Sequence, residues 1–240
     1  MVEWSRFQAV LFDLDGVLTD TASIHAAAWK EAFDGYLRRR EGEAIVPFDP
    51  IHDYLRYVDG KPRFEGVDSF LRSRGIALPR GSPSDPPGDQ TVCAVGNLKN
   101  ELVGRVLAEN PVSPYPGSLV LIRHLLDLGV QIAVVTSSAN ARAVLAAADL
   151  DDFFAVRVDG EVAASLGLRG KPYPDPYLEA AHRLGVMPDS AVVIEDATSG
   201  VAAGRAGDFG LVIGVARHDN ASELLAAGAD LVVGDLGELV

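Results

Sequence analysis

Four short, almost unbroken aliphatic runs stand out in the sequence: Ala9-Val-Leu-Phe-Asp13, Val130-Gln-Ile-Ala-Val-Val-Thr136, Ala191-Val-Val-Ile-Glu-Asp196 and Leu211-Val-Ile-Gly-Val215. Such a run has no polar face to turn to water, so as a strand it must be covered on both sides, the condition of a parallel sheet between layers of helices. Asp230-Leu-Val-Val233 is a weaker fifth run. Alanine- and leucine-rich stretches with helical spacing fill the intervals: Ser118 to Leu128, Asn140 to Ala148, Pro176 to Leu184 and Ser222 to Ala227. This alternation predicts an α/β fold with a doubly wound, mostly parallel sheet and right-handed crossovers.

From about Thr21 to Ser113 the alternation stops. Trp29, Phe33 and Leu37 recur at i, i+4 spacing, and Ile24, Ala28, Ala32 and Tyr36 form a second such row, so Ala22 to Arg40 reads as a helix. Residues 20–113 are therefore expected to form an inserted helical domain, leaving 1–19 and 114–240 as the α/β core. The exit, Pro111-Val-Ser-Pro-Tyr-Pro-Gly117, suits a semi-rigid hinge strand. Pro79-Arg-Gly-Ser-Pro-Ser-Asp-Pro-Pro-Gly88 can be neither helix nor central strand, because its prolines remove donors and fix φ; it reads as a surface loop.

Composition narrows the class. Cys93 is the single cysteine, so no intramolecular disulfide is possible, and the chain suits a reducing cytoplasm. Without a catalytic motif around it, Cys93 reads as a small buried hydrophobe. Residues 1–10 mix Glu3, Ser5, Arg6 and Gln8 among apolar side chains, unlike a signal peptide. No apolar run approaches the roughly 20 residues that span a bilayer. A soluble, cytoplasmic monomer is expected. The net charge of −13 argues against nucleic acid or an anionic membrane as partner.

Polar residues gather where the strands end. Asp13 and Asp15 follow the first run, Thr136, Ser137 and Ser138 the second, and Glu195 and Asp196 close the third, while Lys171 lies on the loop Gly170-Lys-Pro-Tyr-Pro-Asp175. Ligands of open α/β sheets bind beyond the carboxyl ends of the strands, so these segments are expected to meet at one site. Asp13, Asp15, Glu195 and Asp196 together would repel one another and rise in pKa without a cation. Oxygen donors with no histidine or cysteine cluster point to Mg²⁺. Such an ion suits phosphoryl transfer, with Lys171 as a second positive charge.

The sequence Asp13-Leu-Asp-Gly-Val-Leu-Thr-Asp20, followed in order by Thr136-Ser-Ser, Lys171 and Glu195-Asp196, resembles the haloacid dehalogenase superfamily. The resemblance implies a Rossmann-like core with a helical cap. It also implies that Asp13 attacks phosphorus to form an aspartyl-phosphate and that Asp15 is the general acid and base. Thr136 or Ser137 would hydrogen-bond the phosphate, with Ser138 and Asn140 as further contacts on that loop, and Lys171 would steady it. Asp196, with Glu195, would help hold Mg²⁺ together with Asp13 and the Asp15 carbonyl. A dehalogenase needs neither the second aspartate nor the metal, so Asp15 and Glu195-Asp196 favour phosphate over halide.

Asp20-Thr-Ala-Ser-Ile-His25, Ala28-Trp-Lys30, Tyr115-Pro-Gly117 and Glu161-Val-Ala-Ala-Ser165 are similar to the β-phosphoglucomutase-like branch. That resemblance implies that His25 contacts the general acid/base when the cap closes and that Arg63 binds the distal phosphate. Where that group has a cap lysine this chain has Asp59, with Lys61 as a substitute. The expected activity is phosphoryl transfer on a small sugar phosphate, as a phosphomutase. A phosphatase on a sugar or polyol phosphate is the alternative, and a non-catalytic ligand-binding module a remote one. His52, His124, His182 and His218 lack metal-ligand spacing and read as surface or structural residues. Arg38-Arg-Arg40 reads as a solvated helix end.

Overall fold

The structure, a computed structural model, describes residues 2–109 and 112–240. Met1, expected as the first core residue, Asn110, expected in the inserted domain, and Pro111, expected to open the hinge, lie outside the described residues. The elements run β1 (Ala9–Phe12), α1 (Ala22–Glu41), α2 (Arg63–Ser73), α3 (Val92–Glu109), α4 (Pro116–Asp127), β2 (Gln131–Val135) and α5 (Ala141–Ala147). They continue β3 (Val156–Val158), α6 (Gly160–Leu166), α7 (Asp175–Leu184), β4 (Ala191–Glu195), α8 (Thr198–Ala206), β5 (Leu211–Val215), α9 (Ala221–Ala227) and β6 (Leu231–Val233). Two compact units result, one from the described residues of Met1–Asp20 and Val112–Val240, the other from those of Thr21–Pro111.

The first unit is the doubly wound sheet. Its strands lie in the order β3-β2-β1-β4-β5-β6, and every pairing is parallel. β1 is central: Ala9 is level with Gln131 of β2 on one side and with Ala191 of β4 on the other. The order reverses there, which opens the crevice where such sheets bind ligands. β1, β2, β4 and β5 are almost wholly buried, as their aliphatic runs require. On one face Leu11, Ala133, Val135 and Val193 pack with Tyr177 and Ala180 of α7 and with Val201 and Ala203 of α8.

In this unit β3 and the start of α4 differ from the sequence expectation. β3 was not expected, because Val156-Arg-Val158 is a three-residue edge strand with a charge at its centre and offers no aliphatic run. α8 occupies the glycine-rich stretch Gly200 to Gly207, where small residues let the helix sit close on the sheet: a Cβ on Gly204 would touch Val193 and Val212. Pro116 and Gly117 belong to α4 rather than to an extended hinge. Pro116 takes the first helical turn, where its missing N–H goes unneeded. Ahead of it, Asp20 N–H donates to the Ser113 carbonyl and Tyr115 N–H to the Leu18 carbonyl, so the segment leaving this unit pairs with the one returning.

The second unit is helical. Both rows expected on α1 are used: Trp29, Phe33 and Leu37 are buried, as are Ala28, Ala32 and Tyr36. Trp29 stacks on Phe33 with ring centroids 5.0 Å apart, and Phe33 lies 4.2 Å from Phe70 of α2. The small side chains Ala28 and Ala32 admit Leu102 and Val103 of α3. Buried Asp34 accepts from the Phe48 N–H at 2.7 Å and from Lys30 Nζ at 2.9 Å, fastening the segment after α1. Residues 79–88 form neither helix nor strand. Cys93 is buried on α3. No helix among the described residues is long and apolar enough to cross a membrane.

Candidate active site

Asp13 follows β1 directly, and its N–H still donates to the Ile194 carbonyl of β4 at 2.9 Å, so the sheet fixes its backbone. Its buried side chain meets Lys171, whose Nζ donates to Asp13 Oδ1 at 2.6 Å, to Glu195 Oε1 at 2.5 Å and to the Val135 carbonyl at 3.0 Å. These partners come from the ends of β1, β4 and β2. One ammonium thus gathers three strands that lie far apart in sequence. Carboxylate oxygens of Asp13, Glu195 and Asp196 all fall within 4.8 Å of one another.

Glu195 is held from every side. Tyr177 Oη donates to its Oε1 at 3.0 Å and the Ala197 N–H to its Oε2 at 3.0 Å. Burial, followed by the charge of Glu195, keeps the Tyr177 phenol well above its usual pKa, so it serves as a donor. Gly200 of α8 lies against the same carboxylate, and a Cβ there would occupy the carboxylate's position. Gly200→Ala is expected to lower both the melting temperature and turnover. In an exposed helix that change adds up to about 1 kcal/mol of stability. Thermal denaturation therefore reads the steric effect by its sign, and a raised Tm would be the contrary result.

The electrostatics follow from the same crowding. Burial is the largest influence on Asp13 and pushes its carboxyl well above the usual range; Lys171 opposes this, while Glu195 and Asp15 reinforce it. For Lys171, burial alone would lower the ammonium, but the Asp13 and Glu195 carboxylates outweigh it and push its pKa up. Lys171 is firmly charged, and the cluster still carries excess negative charge. A donor set made only of carboxylate oxygens, with that excess, fits a hard divalent cation. Gly16 makes room beside it: its φ of +86° is open to glycine, and a Cβ would run into the Asp196 carboxylate.

Asp15 lies alongside, with Thr136 Oγ1 donating to its Oδ2 at 3.4 Å. The same Thr136 oxygen accepts from the Ser138 N–H at 3.1 Å, and Ser138 Oγ accepts from the Asn140 N–H at 3.1 Å. The loop after β2 is thus wound tightly, with Ser137, Ser138 and Asn140 half-buried. It is tied to α6 by the Gly160 N–H, which donates to the Ser138 carbonyl at 3.0 Å.

Arg217 gave no signal in the sequence. It follows β5, lies over the Tyr115 ring at 3.6 Å and donates from Nε to the Gly16 carbonyl at 2.7 Å. It thereby holds the turn that carries Asp15. Tyr115 Oη in turn donates to Asp20 at 3.1 Å, and burial raises that phenol to about 12. Asn220 Nδ2 approaches the Asp196 carbonyl at 3.4 Å.

In the helical unit, buried His25 of α1 meets Lys99 of α3, with Nζ 2.7 Å from Nδ1. Lys99 also lies over the Trp29 ring at 4.8 Å. Lys61 turns its Nζ to the Arg56 carbonyl and Ser69 Oγ, both at 3.3 Å. Arg63, the first residue of α2, donates from Nη2 to Asn97 Oδ1 at 3.0 Å.

The family model of haloacid dehalogenase-like hydrolases matches residues 7–208. A β-phosphoglucomutase of Mycobacterium tuberculosis is 51% identical over 98% of the chain and 92% of its own length. A phosphorylated carbohydrates phosphatase of Thermotoga maritima is 28% identical over 94% of each chain. Among solved structures, a hydrolase from Pseudomonas syringae superposes with a TM-score of 0.79 at 26% identity, covering 97% of this chain and 95% of its own.

Proposed function

The chain belongs to the haloacid dehalogenase-like hydrolase family, in its β-phosphoglucomutase-like branch, and from that premise we propose that it is a Mg²⁺-dependent phosphomutase of a small sugar phosphate. The observation that carries the reading is the buried Lys171 ammonium shared by Asp13 and Glu195 at the carboxyl ends of the strands. The similarity to a mycobacterial β-phosphoglucomutase supports the substrate class.

In the proposed reaction an Asp13 oxygen attacks one phosphorus of the sugar bisphosphate in line while the bond to the sugar oxygen breaks, and the departing oxygen of the sugar monophosphate takes a proton from the Asp15 carboxyl. The resulting aspartyl-phosphate is then attacked by the free hydroxyl of a sugar monophosphate, whose proton passes to Asp15, so that both carboxyls and the bisphosphate are restored. Lys171 holds positive charge against the transferring group throughout. Thr136 orients Asp15 through its hydroxyl, and Ser137, Ser138 and Asn140 line the loop assigned to the phosphate oxygens. Asp13, Asp196 and Glu195 carboxylates with the Asp15 carbonyl would hold Mg²⁺, whose chemistry is to neutralise and orient the phosphoryl group. In the second unit Arg63 is assigned to the phosphate that is not transferred, and His25, backed by Lys99, to the general acid/base.

A phosphatase would use the same steps with water as acceptor, and the similarity to the Thermotoga phosphatase favours that as the second reading. Incubation with β-glucose 1-phosphate, Mg²⁺ and a trace of β-glucose 1,6-bisphosphate separates the two. The expected result is glucose 6-phosphate without accumulating inorganic phosphate, abolished by EDTA. Release of inorganic phosphate alone would reject the mutase.

A further inference from the structure

The proline-rich loop 79–88 is fastened unusually well for a surface loop. Val92 N–H donates to the Pro79 carbonyl at 3.0 Å and Cys93 N–H to the Arg80 carbonyl at 3.1 Å. Asp85 Oδ2 accepts from Ser82 N–H at 3.1 Å and from Thr91 Oγ1 at 2.6 Å. Gly81 adopts a φ of +72°, and a Cβ there would strike Asp85 and Thr91. The loop therefore presents its carbonyls at defined positions.

Two of those carbonyls are read by one side chain. Asn97 of α3 donates from Nδ2 to the Pro83 carbonyl at 3.0 Å and to the Asp85 carbonyl at 2.7 Å. Both donors of the carboxamide are thereby used, and the reverse orientation would set an oxygen against two oxygens. Oδ1 is consequently fixed toward α2, where it accepts from Arg63 Nη2 at 3.0 Å. The Arg63 guanidinium also lies 4.7 Å over the Phe64 ring, with Arg80 of the loop over the same ring at 5.7 Å. Gly96, beside Asn97, lets that ring approach: a Cβ there would meet Phe64 at 2.8 Å.

We infer that Asn97 is a positioning residue for substrate binding, through which the loop 79–88 sets the direction of the Arg63 guanidinium. The inference rests on the assignment of Arg63 to the non-transferred phosphate. An arginine fork recognises a phosphate by direction as well as charge, so a guanidinium released from its acceptor binds less well. The loop is then part of the specificity apparatus for phosphorylated sugars.

The test is a cycle of Arg63→Ala, Asn97→Ala and the double variant, with steady-state kinetics on whichever phosphorylated sugar the wild type turns over. Loss of one hydrogen bond to a charged group corresponds to about a tenfold rise in KM for Asn97→Ala. The rise should exceed any fall in kcat, and the double variant should match Arg63→Ala alone. Asn97→Asp keeps the side-chain volume, turns oxygens toward both loop carbonyls and pairs Arg63 with a carboxylate, so its KM should rise further. Equal effects of Asn97→Ala with and without Arg63 would overturn the inference, as would an unchanged KM in the folded Asn97→Asp protein. An unchanged KM for Arg63→Ala would overturn the assignment of Arg63 itself, and the inference with it.

Discussion

Asp13→Asn is expected to abolish phosphoryl transfer, by at least about 10⁴-fold in kcat, while leaving the fold intact. The amide has the shape of the carboxylate but no nucleophilic oxygen, so intact-mass spectrometry of acid-quenched samples should show no phosphorylated protein. The stability expectation is as specific. Asp13 is a buried carboxyl pushed upward in pKa by burial and by Glu195 and Asp15, so its anionic form is not what holds the core together. Lys171 keeps Glu195 and the Val135 carbonyl as partners. The variant should therefore melt at or above the wild-type temperature. Retained turnover would place the nucleophile elsewhere.

Lys171→Met should be costly in both respects. It leaves Asp13 and Glu195 buried without the cation between them, and breaking a buried pair from one side costs about 3–5 kcal/mol. For a chain of this size that corresponds to a fall in Tm on the order of 10 °C. Turnover should drop at least about 10³-fold through the lost charge. The pH dependence separates charge from packing. Without the ammonium, which opposes the rise, the folded-state Asp13 carboxyl lies further above its unfolded value, so folded stability is retained below the ordinary carboxylate range and lost as pH rises toward the raised value. The gap in Tm from wild type should accordingly be small near pH 4 and widen toward pH 7. A gap independent of pH would mean that the variant suffers from lost packing of the lysine stem.

The parts of the fold legible in the sequence are those with a one-sided physical reason. β1, β2, β4 and β5 are almost unbroken apolar runs because helices cover both faces, and their polar termini fall where the carboxyl-end rule puts a ligand. Val156-Arg-Val158 shows no such pattern, since an edge strand of three residues needs none. Lys99 was hidden for another reason: a lysine in a long helix is ordinarily solvated, and only the crossing of α1 and α3 brings it to His25. Asp59 and Lys61 drew attention through the resemblance, which says nothing of the contacts that Lys61 makes with the Arg56 carbonyl and Ser69 Oγ. Tyr177 and Arg217 act on residues 18 and 201 positions away, a separation no local motif announces.

The central place of β1 also bears on how the chain comes off the ribosome. Ala9–Phe12 emerges first, yet both neighbours it pairs with, Gln131–Val135 and Ala191–Glu195, are made much later. An apolar segment with two open edges must wait through most of translation, while the helical residues 21–109 can settle on contacts among themselves. A nascent chain halted near residue 190 would expose the β4-facing edge of that strand and should be a strong chaperone client, releasable once β4 has cleared the exit tunnel.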